Sequence, residues 1–326
     1  MNKVAVATDV WIKQDKKWQQ STRYLFDRPV SDKGIKVSLK TVYKLLTGGD
    51  GYDVFVSADV RTAVIYGIVR YVTGLKKPKH IVLELRLDEE RDTLKWKLKR
   101  LVQSAAFSTV DKIYVSARKE IELYSLRLKQ PTSKFEFLPF HTNVVNPAIA
   151  DTEGKYIFSA GRTGRDYKTL IEAVRGEPCE VVIVSDSSSI AGIEIPENVT
   201  VYENIDYSEY RQLLANAYMV VLPLYEHIYS SGQVVVLESM ALGKPVITNK
   251  CVGTEDYIVD GETGLLLKER DPTLFKAAIN KLFEDNVLRD IIKINAMNEI
   301  KEKHTFRIYV DTILEEASRL GSIQDG

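Results

Sequence analysis

Cysteine is nearly absent: the 326 residues hold two, Cys179 and Cys251, far apart and in segments that read as buried or near-buried. That excludes a disulfide-stapled scaffold, offers no thiolate cluster for a metal, and suits a reducing compartment. No apolar run approaches the roughly 18 residues needed to cross a bilayer. The opening MNKVAVATDV enters an alternating apolar run without the basic-then-hydrophobic order of a secretory signal. The chain therefore reads as cytoplasmic. No G-x-G-x-x-G follows the first strand of either half, which disfavours a nicotinamide dehydrogenase, and no G-x-x-x-x-G-K-[ST] occurs, which disposes of a P-loop ATPase. Asp-x-Asp is missing too, so a metal-bridged diphosphate has no obvious ligands. Any phosphate has to be held by basic side chains and backbone, with no metal and no cofactor expected.

What is present is a chain 44% hydrophobic and 28% charged, long enough for two domains with a core in each. A formal net charge of zero hides a division. Residues 1–150 hold 27 Lys and Arg against 16 Asp and Glu, and the remainder holds 18 against 29. Such asymmetry suits a first half that meets something anionic, such as a membrane surface or a phosphate-bearing substrate, or else two oppositely charged domains that face one another.

Short apolar runs alternate with amphipathic stretches throughout, the rhythm of parallel βαβ proteins. Strand candidates in the first half are VAVA near Val4, DVFVSA from Asp53, HIVLEL from His80, KIYVS from Lys112 and KFEFL from Lys134. Helical patterns TAVIYGIVRYV, LKWKLKRLVQSA and RKEIELYSLRL lie between them. After Pro139 the aperiodic FHTNVVNPAIADTEG is the best linker candidate. A second series follows: YIFSA from Tyr156, EVVIVSD from Glu180, NVTVY from Asn198, AYMVVLPL from Ala217, PVIT from Pro245 and GLLL from Gly264, then helical patterns from about Asp271 to about Leu320. Two doubly wound domains follow, each with its ligand loops at the carboxyl ends of its strands.

Two segments of the second half carry chemistry. In SAGRTGRDYKTLIEAV a strand ends in a Gly-rich turn that presents Arg162 and Arg165 just before a helix, and two guanidinium forks beside a helix dipole suit a diphosphate; solvated loop charges are the alternative. In YSSGQVVVLESMALGKPVITNK, Ser230, Ser231 and Gly232 open a helix whose first N–H groups suit phosphate oxygens. Glu238, further along that helix, is either a grip for the two hydroxyls of a ribose or an exposed helix carboxylate.

With the GTEDYIVDGETGLLL that follows, these segments resemble the nucleotide-sugar-binding half of GT-B glycosyltransferases, particularly those like glycosyltransferase family 4, in the expected order from about Tyr156 to Phe306. Gly161 and Arg162 match the Gly-Arg that opens that domain, while Arg165 and Asp166 stand where Lys-Gly is usual, in a loop two residues shorter. The resemblance implies that Arg162 and Arg165 stabilise a nucleoside diphosphate leaving group. Glu238, followed by Ser-Met-Ala, matches the second of two family glutamates and is expected to hold the ribose. Ser230 replaces the first, and Gln233 sits where Gly is usual. Glu226 and His227 are the nearby substitutes, and the departure leaves the donor sugar and the stereochemistry open. Asn204 and Tyr207 fall where relatives shape the nucleobase pocket, or serve as a helix cap and staple. Gly253 and Thr254 stand near a family Gly-Gly loop, and Asp256 aligns with a usual Glu.

The first half resembles the acceptor domain in rhythm. Where relatives often place a His after the strand beginning near His80, LELRLDEER makes Glu84 and Asp88 candidates for the acceptor base, with surface salt bridges as the alternative. Lys95, Trp96, Lys97, Lys99 and Arg100 form a basic aromatic pattern that fits a membrane interface or an ordinary surface helix. Trp11, Lys13, Lys16, Lys17 and Trp18 repeat it in an expected loop.

The resemblance implies an α/β GT-B fold of two Rossmann-like doubly wound domains facing a central cleft. The acceptor domain is expected at 1–143, the nucleotide-sugar domain at 144–304, and a final helix, about 305–322, packing back on the first. The implied activity moves a sugar from a nucleotide-sugar donor to a saccharide acceptor, perhaps lipid-linked, in glycan or polysaccharide synthesis. An anionic membrane's inner face is a companion partner, and a nucleic acid is not. An inactive GT-B-like binding protein and a sugar-nucleotide epimerase are the alternatives.

Overall fold

The computed structural model describes residues 4–13, 15–26, 34–48, 51–89, 91–150 and 154–322. They form two compact units, Met1–Pro139 with Arg307–Gly326, and Phe140–Phe306.

In the first unit the elements run β1 (Val6–Thr8), α1 (Lys16–Ser21), β2 (Thr22–Tyr24), α2 (Ile35–Thr47), β3 (Val54–Ser57), α3 (Val60–Thr73), β4 (Lys79–Val82), α4 (Leu94–Ser108), β5 (Lys112–Val115), α5 (Arg118–Leu128) and β6 (Phe135–Phe137). The six strands form a parallel sheet in the order β2-β1-β3-β4-β5-β6, with Ala7 opposite Phe55 and Arg23. All of β3 is buried, as a central parallel strand covered on both faces must be. Asp59 starts α3 by accepting from the Thr62 N–H at 3.0 Å, and Gly74 ends it in the left-handed region at φ 71°.

Three expectations change here. The segment from Trp11 to Trp18 is not simply a loop: Lys16–Ser21 is helical and leads into an unforeseen edge strand. Trp18 is only 2% exposed and donates its indole N–H to the Val10 carbonyl at 3.3 Å, so it belongs to the core and is no membrane anchor. Lys17 pairs with Asp311 at 2.6 Å. The strand expected through Leu85 stops at Val82, although Leu83, Leu85 and Leu87 continue into the core as irregular chain.

The second unit runs β7 (Tyr156–Ala160), α6 (Tyr167–Val174), β8 (Glu180–Ser185), α7 (Ser187–Ile190), β9 (Val199–Glu203), α8 (Tyr207–Ala215), β10 (Met219–Leu222), α9 (Gln233–Ala241), β11 (Val246–Asn249), β12 (Leu265–Leu267), α10 (Pro272–Glu284) and α11 (Asn286–Lys303). Its parallel sheet has the order β12-β11-β10-β7-β8-β9. Ile157, Ile183, Val221 and Ile247 from four strands join Leu170, Phe275 and Ile292 from helices in one core. Helix α9 is buried along nearly its whole length, its polar Gln233, Glu238 and Ser239 included. The aperiodic stretch after Pro139 is no free linker: Ala148 and Ala150 donate N–H groups to the Ala241 and Leu242 carbonyls, which straps it to the end of α9. Its residues 151–153 lie outside the described residues.

The last helix, α12 (Phe306–Gly321), buries Val310, Ile313 and Ala317, and from Arg307 onward belongs to the first unit. No helix among the described residues is long and apolar enough to cross a membrane.

Candidate functional site

In an open parallel sheet, ligands collect at the carboxyl ends of the strands where the order reverses. In the second unit that point lies between β7 and β10. Strand β7 ends in Gly161 at φ 116°, a conformation that disfavours side chains, and a Cβ there would lie 2.7 Å from the Arg165 guanidinium carbon. Arg165 turns back under the loop and donates from Nε to the Ala160 carbonyl at 2.7 Å and from Nη1 to the Thr163 carbonyl at 2.9 Å. Burial pulls this guanidinium below its ordinary value. Arg165 is thus a brace of the loop. Arg162 is exposed and leans toward Asp186, 3.7 Å away at the end of β8. Asp166 has a local reason to stand where the family has glycine: it caps α6 through Thr169 and pairs with Arg270, which also lies over the Tyr225 ring. Neither Arg270 nor Tyr225 was signalled by a motif.

The loop after β10 folds against this turn. A Cβ on Gly164 would meet Ser231 Oγ at 3.0 Å and the His227 ring at 3.2 Å, and Gly253 packs directly on the Ser231 backbone. Three loops, after β7, β10 and β11, therefore meet around Ser231 and Gly232, at the start of α9. Gly232 precedes the helix at φ 90° with no side-chain cap, and the positive end of the α9 dipole faces this loop. Ser230 lies in the same loop. Gln233 is buried and donates to the Tyr257 hydroxyl at 3.3 Å, and Glu226 is exposed upstream beside His227, whose ring stacks on Tyr229.

Two donor candidates need correction. Thr254 is fully buried; its hydroxyl donates to the Asn249 carbonyl at 2.8 Å and accepts the Cys251 N–H at 3.0 Å, so it ties the loop together from within. Glu238 is not an exposed helix carboxylate but a wholly buried one, closed over by the Tyr207 hydroxyl at 2.8 Å, the Tyr210 hydroxyl at 2.9 Å and the Asn143 amide at 3.2 Å. Burial first, then the carboxylate beside them, pushes both phenols up. Tyr207 is 55% exposed, and Asn143 is exposed as well, whereas Glu238 beneath them is wholly buried. Asn204 closes the turn before α8 at φ 54°, while Asp206 is the actual cap.

On the first unit, Glu84 accepts from the Tyr309 hydroxyl at 2.7 Å, and Asp88 is an exposed partner of Lys99 at 3.0 Å, the surface salt bridge that was the alternative. Both line a groove of about 720 Å³ between α3, α4 and the start of α2, walled by Val60, Val64 and Leu98. Among the described residues no three His, Cys, Asp or Glu side chains are grouped to hold a metal.

Residues 145–299 match the family described as glycosyl transferases group 1. The chain resembles the group 1 glycosyl transferases. A D-rhamnosyltransferase of Pseudomonas aeruginosa is 27% identical over 236 residues, 67% of this chain and 61% of that one. An uncharacterized glycosyltransferase of Methanocaldococcus jannaschii is 38% identical over 72 residues, 22% of this chain and 18% of its own length. The chain spans less than two thirds of the length of these curated relatives. Among solved structures, the HepE protein of Anabaena in complex with UDP and glucose is 13% identical with a TM-score of 0.72, covering 98% of this chain and 100% of that one. A sucrose-phosphate synthase from Thermosynechococcus elongatus has a TM-score of 0.68 at 18% identity, covering 92% of this chain and 83% of that one. The fold is that of the GT-B glycosyltransferases.

Proposed function

We propose that this chain is a glycosyltransferase that moves a hexose from a nucleotide-sugar donor to a saccharide acceptor in glycan or polysaccharide synthesis. The observation that carries this reading is the meeting of Gly164, Ser231 and Gly253 at the start of α9, beside the Arg165 turn, at the reversal point of the second sheet. Arg165, with Arg162 from the same turn, and the positive end of the α9 dipole would stabilise the departing diphosphate. Glu238 would take the ribose after Tyr207 swings away. Catalysis then needs no metal, and activity in excess EDTA should stay near its full rate; a strict requirement for magnesium or manganese overturns that part of the mechanism.

The test is a thermal-shift series with UDP-, GDP-, ADP- and dTDP-sugars, followed by assay of nucleoside diphosphate release with saccharide acceptors. A ligand bound only by the folded state raises Tm by mass action. One donor class should stabilise the chain and be turned over. Stabilisation without turnover or hydrolysis favours an inactive nucleotide-binding relative, the reading that Ser230 in place of the first glutamate supports. A product still attached to its nucleotide favours an epimerase.

The acceptor is lipid-linked in this reading, with the first unit resting on an anionic leaflet. The structure moves the supporting residues. Helix α2 exposes Ile35, Leu39, Tyr43 and Leu46 along one face, with Lys36 and Lys40 exposed beside them, and α4 exposes Leu94, Leu98 and Leu101 beside Lys95 and Lys97. Apolar stripes flanked by lysines suit an anionic interface, each nearby cation adding about 1 kcal/mol. The chain should cosediment with anionic but not neutral vesicles, and lose them in high salt or on replacing Ile35, Leu39 and Tyr43 with Ser. Indifference to anionic vesicles at low salt makes a soluble acceptor the better reading.

A further inference from the structure

Helix α9 and the segment after Pro139 are tied at three levels. At the helix end the ties are Ala148 and Ala150, and midway the Asn143 amide donates to Glu238 at 3.2 Å. The third tie, at the helix start, is indirect. Gln233, the first residue of α9, donates its amide to the Tyr257 hydroxyl at 3.3 Å, and the same hydroxyl accepts the Phe140 N–H at 3.1 Å. Tyr257 is 2% exposed and comes from the loop after β11, one of the three that meet around Ser231.

Phe140 is held through its carbonyl too. That oxygen lies 2.9 Å from His304 Nδ1, and because a carbonyl only accepts, Nδ1 carries the proton. His304 Nε2 is buried with no hydrogen-bond partner, so Phe140 alone holds the ring by a hydrogen bond. The His304 carbonyl in turn accepts the Thr142 N–H at 2.8 Å, and the His141 ring meets Phe306 edge-on at 4.4 Å between centroids. The second unit begins at Phe140 and ends at Phe306. Its two exits are thus tied together, and one buried hydroxyl joins that tie to the start of α9. A glycine at 233, the residue usual in the family, has no side chain to make the joint.

We propose that Tyr257 is a positioning residue that passes occupancy of the donor site to both exits of the second unit. The inference rests on the donor reading above and adds to it, since binding a nucleotide does not by itself require the exits to respond. An anion settled at the start of α9 restricts Gln233; with Gln233 ordered, the Tyr257 hydroxyl holds Phe140 at a smaller entropic cost, and Phe140 holds His304. The bonds concerned are buried, where a hydrogen bond is stronger and its loss costs more than at the surface.

The experiment follows amide hydrogen exchange in the full chain by mass spectrometry, with UDP, GDP, ADP and dTDP as probes. A nucleotide that raises Tm should slow exchange in residues 140–144 and 304–306 by about fivefold or more. Tyr257→Phe keeps the ring and loses the acceptor. The same nucleotide should still raise its Tm and slow exchange at 231–236, while the response at 140–144 and 304–306 falls below about twofold. A purely structural Tyr257 would instead change exchange at the exits equally with and without nucleotide. Gln233→Gly should abolish the distant response in the same way, which keeps the test decisive if Tyr257→Phe unfolds. If wild-type exchange at the exits ignores a nucleotide that raises Tm, or if Tyr257→Phe responds in full, the proposal fails and the donor reading stands. If none of the four raises Tm or slows exchange anywhere, the donor reading fails and this inference with it.

Discussion

The two units share an architecture, a six-stranded parallel sheet whose order reverses once near its middle, yet they present their chemistry in opposite ways. In the second unit the candidate residues come in short consecutive runs, Gly161 to Arg165 and Ser230 to Gln233, and one loop places several at once. In the first, Asp9, Tyr24 and Asp59 arrive from three different strand ends. A diphosphate is met by backbone and cations, which a single loop and a helix start can supply. A buried carboxyl such as Asp9 takes its character instead from the packing of several segments around it.

Four measurements test this contrast. The largest effect should come from Trp18→Ala, which empties a core position and should cost about 3–5 kcal/mol in urea unfolding, whereas Trp11→Ala should cost about 0.5 kcal/mol or less. Similar costs for the two would mean that Trp18 is not the core residue of the pair. Glu238→Ala strips the acceptor from Tyr207, Tyr210 and Asn143 and should cost about 2–4 kcal/mol, while Tyr207→Phe should stay within about 1 kcal/mol and leave donor binding equal or tighter. Weaker donor binding in Tyr207→Phe would make the tyrosine itself the ligand. Arg165→Ala should weaken a nucleoside diphosphate by about 1.5–3 kcal/mol and the bare nucleoside little. Equal losses would reduce Arg165 to its role as brace.

The last measurement is a pH dependence. Folding raises the Asp9 carboxyl from 3.8 to about 7, so between those values the folded chain holds a proton that the unfolded chain has released. Stability from this group is full below the unfolded value and declines as pH rises through the folded one. Asp9→Asn removes the decline, so its gain in Tm should be larger at pH 8 than at pH 5. An equal gain at both would show that Asp9 is ionised in the folded chain throughout.

The alternation of strands and helices and the Gly-Arg turn were legible because each depends on neighbours in sequence. What escaped depended on which way a side chain faces. Helix α2 turns Ser38 and Thr41 inward with Val42 and Leu45, and Ile35, Leu39 and Tyr43 outward, so its apolar residues do not mark its buried face. Ser38 is inward because it serves Asp59, a partner 21 residues away. Lys17 and Trp18 are adjacent in sequence and look like one interfacial pair, but successive helical residues face different ways, and one pairs with Asp311 while the other joins the core. Thr254 sits in the right loop for a ligand, and nothing local reveals that its hydroxyl already serves Asn249 and Cys251. Asp9 carries no motif because the packing around it is assembled from distant segments.

The first unit is built from two separate stretches of chain, whereas the second is continuous. During synthesis, therefore, the second has all its residues once 306 has emerged, while the first, although it leaves the ribosome earlier, still lacks the helix that buries Val310, Ile313 and Ala317. Until then the side of its sheet that α12 covers stands open as an apolar surface for chaperones to recognise. A chain truncated after residue 306 should accordingly carry a protease-resistant second unit behind a protease-sensitive first one.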